Sequence, residues 1–366
     1  MAGRVRQPID QVALESFLLD NVPEIKTPIE LKQFQFGQSN PTYQILSADG
    51  EKYVLRKRPP GKQISKLSHR VEREYQVLVA LSNTNVPVPK PYIMCDDASI
   101  IGTPFYIMEF LDGRVFEDIG MPGVSAEDRA TIWKDAVQVM INLHVTDPRD
   151  VGLETFGKAT GFYKRQIRSW DAVSTSQAKV VNATTKQPVG QLPYYDECMQ
   201  FFKNERAQPR DRSCLVHGDF RIDNLMFHKT EPRVIGILDW ESSTIGHPLS
   251  DLCSLLTPFY MARHPGASPY DISSLLPGRM PGLPQPDQIL DWYAAAGFYN
   301  PKLDMNFGMA FNTFKTAAIC QGIHARLVAG QASSKQAAIY GALKNPLAEL
   351  SWQLAQYSSV WQQARL

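Results

Sequence analysis

The chain has 366 residues, 43% of them hydrophobic, with 38 Lys and Arg against 37 Asp and Glu for a net charge of +1. That length suits two packed lobes, and the composition excludes collagen-like, coiled-coil and disordered classes. The near-neutral balance gives no electrostatic footing for nucleic acid as the main partner, and no apolar run reaches the roughly 18 residues of a membrane span.

The opening MAGRVRQPID has no apolar core, so no secretory signal is expected. Residues 8–20 start at Pro8 and carry Val12, Leu14, Leu18 and Leu19, predicting a short helix. Strand patterns follow over 31–35, 42–46 and 52–56, with a hairpin turn at 47–51. Pro59-Pro60-Gly61 breaks the sheet before a helix near 66–81; 86–91 is extended and 104–110 reads as a buried strand. The first 110 residues are thus mainly antiparallel sheet with one helix. After Leu111-Asp112-Gly113 the pattern turns helical. Ser125-Ala126-Glu127-Asp128 resembles a capping box, and Trp133, Val137, Met140, Ile141 and His144 follow at helical spacing. His144 reads as a structural histidine. Segment 171–191 is polar and weakly periodic, a loop or helix end. Short strands at 214–216 and 234–238 bracket the densest chemistry, and long helices run from Pro286 onward, the last over 347–361. The expected division is 1–110 for a nucleotide-binding lobe and 111–366 for a helical lobe with the catalytic loop and acceptor site. Cys95, Cys198, Cys214, Cys253 and Cys320 have no C-x-x-C spacing, which predicts reduced, buried thiols. Ala364-Arg365-Leu366 follows the small-basic-leucine pattern of a peroxisomal address, so a peroxisomal or cytoplasmic location is expected.

The sharpest signal is an apolar strand delivering His217-Gly218-Asp219, with Asn224 five residues on, followed by a second strand that ends at Asp239-Trp240-Glu241. Phosphoryl transfer from Mg-ATP needs this set: one aspartate orients the acceptor hydroxyl, while an Asn and a second Asp hold Mg²⁺ against the phosphates. The stretches HGDFRIDN (217–224), ILDWESSTIGHPLSDL (237–252), YVLRKRPPG (53–61), VEREYQVL (71–78) and VPVPKP (86–91) resemble the aminoglycoside phosphotransferase/choline kinase-like family over roughly residues 30–330. The subgroup that looks most similar is the kinase domain fused to acyl-CoA dehydrogenases, linked to hydroxylated fatty-acyl substrates.

The resemblance implies an α+β, two-lobed protein-kinase-like fold, with ATP and Mg²⁺ as cofactors and a small-molecule hydroxyl as acceptor. It makes Asp219 the catalytic aspartate and Asn224 and Asp239 the metal ligands. Glu241 supplies a second metal contact or braces the loop. His217 fixes the catalytic-loop backbone, Asp251 accepts backbone hydrogen bonds beneath it, and Arg221 approaches a phosphate or pairs with Asp223. The phosphate loop falls on residues 36–42, where Gly37, Ser39 and Asn40 let backbone N–H groups approach phosphate oxygens, unless the segment is a plain hairpin turn. Met108 and Phe110 belong to a hinge that reads adenine.

The family's phosphate-pairing lysine aligns with Arg56, leaving Arg56 or Lys57 in that role. Leu67, Val71, Glu74, Tyr75 and Leu78 form one helical stripe, so Glu74 lies on the buried face and requires a basic partner. Arg56 is the predicted partner. For the acceptor, residues 240–330 carry six acids against five bases, which is no acidic funnel for a polycation. Their many aromatic residues suit an acyl substrate unless they are core. Arg263 or Lys315 could meet a carboxylate or a CoA phosphate, but neither is singled out as a site. The expected function is a small-molecule kinase acting on a hydroxyacyl-CoA or hydroxy fatty acid. The alternatives are an aminoglycoside or choline-type kinase and a catalytically silent nucleotide-binding protein.

Overall fold

The computed structural model describes residues 2–34, 40–59, 70–332, 334 and 336–357. Gly37, Ser39, Leu67 and the closing tripeptide lie outside the described residues. In chain order the elements are β1 (Ala2–Gly3), α1 (Gln11–Asn21), β2 (Glu30–Phe34), β3 (Thr42–Leu46), β4 (Lys52–Lys57), α2 (Val71–Leu81), β5 (Pro91–Cys95), α3 (Ala98–Ile101) and β6 (Phe105–Glu109). Next come α4 (Ala126–Val145), α5 (Phe162–Ala178), α6 (Tyr195–Lys203), β7 (Cys214–Val216), β8 (Leu225–Phe227), β9 (Val234–Ile237) and β10 (Thr244–Gly246). The last five are α7 (Leu249–Met261), α8 (Pro286–Ala295), α9 (Met305–Val328), α10 (Ala337–Ala342) and α11 (Lys344–Gln356).

These elements form two compact units. The first comprises Met1–Phe116, Thr146–Glu154 and Asp223–Ser243, and the second comprises Glu117–Val145, Thr155–Ile222 and Thr244–Leu366. A single cut after Phe110 therefore does not describe the packing. The hairpin β8–β9 belongs with the first unit because backbone hydrogen bonds tie it there. Ile237 N–H donates to the Pro87 carbonyl (2.9 Å), and Arg114 and Phe227 exchange N–H···O bonds of 2.8 and 2.9 Å.

In the first unit six strands form one antiparallel sheet in the order β1-β2-β3-β4-β6-β5. Side chains alternate across a strand, so β4 serves both faces. Tyr53 and Leu55 join Tyr43, Ile45, Phe105 and Ile107 in a core that also holds Leu14 and Leu18 of α1. Asp10 caps that helix by accepting from the Ala13 N–H (3.0 Å). Burying Leu14 and Leu18 completely contributes about 1.5–3 kcal/mol each. Arg56 points to the opposite sheet face, toward Glu74 of α2. The sheet is thus covered by α1 on one face and α2 on the other, the helices expected over 8–20 and 66–81.

The second unit is helical apart from β7, which pairs antiparallel with β10, Cys214 opposite Gly246. β10 is not among the strands expected from the sequence pattern. Within the helices, Phe259, Tyr293, Phe307, Phe311 and Phe314 are each at most 5% exposed. These five aromatic residues are therefore largely core, whereas Tyr260, Trp292 and Phe298 are half-buried and Tyr270 is exposed, so the aromatic content by itself does not argue for a lipid-like acceptor. Helix α5 extends through Ala178, into the segment read as polar and weakly periodic. Its buried face includes Ser174, whose hydroxyl donates to Gln321 (2.9 Å), which masks the hydrophobic period. All five cysteines are buried and unpaired. Among the described residues no helix is long and apolar enough to cross a membrane.

Candidate active site

In the first unit the chemistry gathers around Arg56. Strand register sets Arg56 opposite Thr42 of β3 and Tyr106 of β6. Its Nε lies 2.9 Å from Glu74 Oε2 and its Nη2 lies 2.5 Å from Asp239 Oδ1, with Glu241 Oε2 at 4.0 Å. Glu74 is almost fully buried, and it also accepts from the Asn40 side-chain amide (2.6 Å) and the Tyr106 hydroxyl (3.1 Å). Burial is the largest influence on Glu74 and pushes its carboxyl up to about 7, against the pull of Arg56. Burial also opposes the Arg56 charge, but Glu74, Asp239 and Glu241 outweigh it and raise the guanidinium's pKa.

This geometry separates the two basic residues that the sequence left open. Lys57 points to the other face, 5.9 Å over the Tyr43 ring, where burial lowers its pKa. Arg56 is the cation that meets the carboxylates. Asn40 was expected to approach phosphate through its backbone; its side chain is fully buried and committed to Glu74.

The hairpin β8–β9 brings Asn224 and Asp239 to one end. Leu225 pairs with Ile237, and one step further the Leu238 N–H donates to the Asn224 carbonyl (2.9 Å). The chain then turns sharply at Asp239, which adopts φ +65°, a left-handed conformation uncommon for a residue with a side chain. Such a conformation costs on the order of 1–3 kcal/mol and persists only where neighbours enforce it. Here Trp240 Nε1 donates to the Ile237 carbonyl (3.0 Å), and Ser243 Oγ donates to the Trp240 carbonyl (2.6 Å). The turn leaves the Asp239 side chain 37% and the Glu241 side chain 30% exposed.

These residues fit a magnesium ion. Three carboxylates, those of Glu74, Asp239 and Glu241, surround one guanidinium, an excess of negative charge that a divalent cation would offset. Asp239, Glu241 and the Asn224 amide supply the hard oxygens that magnesium takes. Among the described residues no three His, Cys, Asp or Glu side chains form a metal cage of their own.

Residues 108–111 complete this unit. Met108 pairs with Val54 and Pro91, and Lys52 Nζ lies 5.4 Å over the Phe110 ring. Leu111 packs directly on Gly236 of β9, where any Cβ would collide with its side chain. That glycine lets Leu111 lie flat on the hairpin that carries Asp239.

In the second unit β7 ends at His217-Gly218-Asp219. Gly218 takes φ +84°, a conformation that glycine adopts without strain. The turn rests on Asp251, which is completely buried: Oδ2 accepts from the His217 N–H (2.7 Å) and Oδ1 from the Gly218 N–H (2.8 Å). His144 Nε2 lies 3.1 Å from Asp251 Oδ2, and its Nδ1 lies 2.7 Å from the Tyr293 hydroxyl. His144 thus bridges the Asp251 carboxylate and the Tyr293 hydroxyl through its two ring nitrogens. Burial pushes the Asp251 carboxyl up, but His144, His217 and the backbone donors outweigh it and hold its pKa below the ordinary value. The Asp219 N–H then donates to His217 Nδ1 (3.3 Å), fixing the loop that presents Asp219. The sequence had His144 as structural without its partners; the structure ties it to the support beneath this loop. Arg221, two residues past Asp219, is exposed.

The phosphotransferase enzyme family model matches residues 30–302. Acyl-CoA dehydrogenase family member 11 of Rattus norvegicus is 36% identical over 348 residues, covering 94% of this chain and 43% of that protein. Acyl-CoA dehydrogenase family member 10 of Mus musculus is 36% identical over 357 residues, covering 96% of this chain and 32% of that protein. The chain thus spans less than half the length of these curated relatives. A solved structure from Ralstonia eutropha, assigned to the aminoglycoside phosphotransferases, superposes with a TM-score of 0.81 at 36% identity, covering 96% of this chain and 100% of the other. The GDP complex of aminoglycoside 2′-phosphotransferase-IIIa gives a TM-score of 0.60 at 16% identity, over 94% of this chain and 99% of that one, a likeness of fold. The α+β architecture is the kinase-like fold of these phosphotransferases.

Proposed function

The chain belongs to the phosphotransferase enzyme family, and from that premise we propose that it is a small-molecule kinase transferring the γ-phosphoryl of ATP to a hydroxyl of a hydroxyacyl-CoA or hydroxy fatty acid. The observation that carries the kinase reading is the Glu74–Arg56–Asp239 chain of contacts at 2.9 and 2.5 Å, intact in one unit beside Asn224 and Glu241. The acyl reading is supported by the names of the curated relatives, which are acyl-CoA dehydrogenase family members.

In this mechanism Arg56 pairs with nucleotide phosphates while Glu74, braced by Asn40 and Tyr106, fixes its guanidinium. The hinge at Met108 and Phe110 takes the base. Asn224, Asp239 and Glu241 would hold Mg²⁺, which when bound neutralises phosphate charge. Asp219 accepts the proton of the acceptor hydroxyl as its oxygen bonds to the γ-phosphorus; the bond from that phosphorus to the β–γ bridging oxygen breaks and ADP leaves. Positioning and charge neutralisation supply most of the rate enhancement.

An aminoglycoside acceptor is the second reading, favoured by the assignment of the Ralstonia eutropha structure. Incubation with Mg-ATP and 4-hydroxydecanoyl-CoA, kanamycin or choline, followed by mass spectrometry, separates the two. The acyl-CoA is expected to gain one phosphoryl group while kanamycin and choline do not. Phosphorylated kanamycin with untouched acyl-CoA would overturn the acyl reading.

A further inference from the structure

One basic residue of the second unit stands apart from all those used above. Lys315 lies on α9, one helical turn past Phe311, and the face it shares with Gly308 and Asn312 meets α7 and α5. At Gly308 the helices nearly touch: an added Cβ would fall 2.7 Å from Leu249 Cγ and Cys253 Sγ. Beside this contact lies a small cavity lined by residues that include Phe162, Tyr163, Cys253, Gly308, Phe311 and Lys315.

Asn312 and Asp251 are engaged elsewhere. Asn312 donates to Thr257 Oγ1 (2.7 Å), and both Asp251 oxygens already accept from backbone N–H groups, one of them also from His144. Lys315 has no ion pair or hydrogen bond among the described residues, and the field of Asp219 and Asp251 is what favours its charge. The residue keeps some accessible surface, but desolvation dominates and lowers its pKa. Arg263, the other basic residue considered, is exposed and shares Gln285 Oε1 at 3.4 Å. A desolvated ammonium without an anionic contact, in an aromatic-walled cavity and in the field of Asp219, is a site that an anion would complete.

We propose that Lys315 is the specificity-determining residue of the acceptor site, pairing with a carboxylate or phosphate of the acceptor and turning away polycations. The inference rests on the kinase reading and adds a requirement to it: the acceptor brings its own negative charge. That charge has two sources, the carboxylate of a free hydroxy acid or the phosphates of a CoA ester.

Calorimetric titration with 4-hydroxydecanoate, its methyl ester and its CoA thioester tests this on wild type, Lys315→Met and Lys315→Arg. Wild type is expected to bind the acid or the thioester more tightly than the ester. Lys315→Met should weaken the charged ligand on the order of 10- to 100-fold, and Lys315→Arg should recover much of that loss. Loss confined to the acid identifies the carboxylate as the group bound, and loss confined to the thioester identifies the CoA phosphates. A structural role for Lys315 would weaken acid, ester and thioester alike, and that result would overturn the proposal. Absence of binding by all three would also overturn it. Mg-ATP binding, titrated on the same samples, keeps the two readings apart: its presence with no charge preference sinks this inference alone, and its absence from wild type sinks the kinase reading as well.

Discussion

Asp219→Asn is expected to lower phosphoryl transfer by about 10²- to 10⁴-fold, the span that a positioned proton acceptor supplies. The amide keeps the size of the carboxylate but cannot take up the hydroxyl proton. The backbone contact from the Asp219 N–H to His217 Nδ1 is unchanged by the substitution, so loop geometry should survive. Mg-ATP binding should also survive, since Arg56, Glu74, Asn224 and Asp239 are untouched. Turnover and nucleotide affinity measured on one preparation separate these effects. Wild-type turnover in the variant would remove Asp219 from the mechanism. Loss of nucleotide affinity equal to the loss of turnover would make it a binding residue.

Asp251→Asn is expected to cost about 3–5 kcal/mol of stability and to lower turnover as well. The carboxylate accepts from three donors and donates to none. An amide must turn its NH₂ toward the His217 or Gly218 N–H or toward His144, leaving buried donors unpaired. The turn carrying Asp219 loses its floor at the same time. The pH dependence has a definite sign. The folded carboxyl is held below its ordinary value, so its stabilisation is in place above the unfolded pKa of about 3.9 and is lost as pH falls through the lower folded value. Denaturant unfolding at neutral pH and near pH 3 should therefore show the gap between wild type and variant narrowing with acid. A gap that widens on acidification would contradict the assigned protonation state.

Much of the catalytic half was legible because its signals are local. His217-Gly218-Asp219 needs a left-handed glycine in a turn after a strand, and the sequence states both. Glu74 was legible from one helix alone: a carboxylate in an apolar stripe demands a cation, and the alignment with the family pattern put Arg56 forward to supply it. Less legible were features that depend on residues distant in sequence. Asn40 looked like part of a phosphate loop, and only the fold brings its amide to Glu74. Nothing local binds β8–β9 to the first unit; the Arg114–Phe227 and Ile237–Pro87 backbone bonds do so, and backbone bonds leave no mark on side-chain pattern. The aromatic residues of 240–330 could not be divided into core and acceptor wall without knowing which helix faces which. Lys315 was one basic residue among five until the engagement of its neighbours set it apart.

The central claim is that the first unit binds a magnesium nucleotide through Asp239 and its neighbours. Thermal unfolding with ATP or GTP, each with and without Mg²⁺, on wild type and Asp239→Ala tests it most directly, since a ligand that binds only the native state raises the midpoint. A Mg²⁺-dependent rise is expected in wild type with at least one nucleotide, and no such rise in the variant. An unchanged wild-type midpoint with both nucleotides, or an equal rise in the variant, would contradict it.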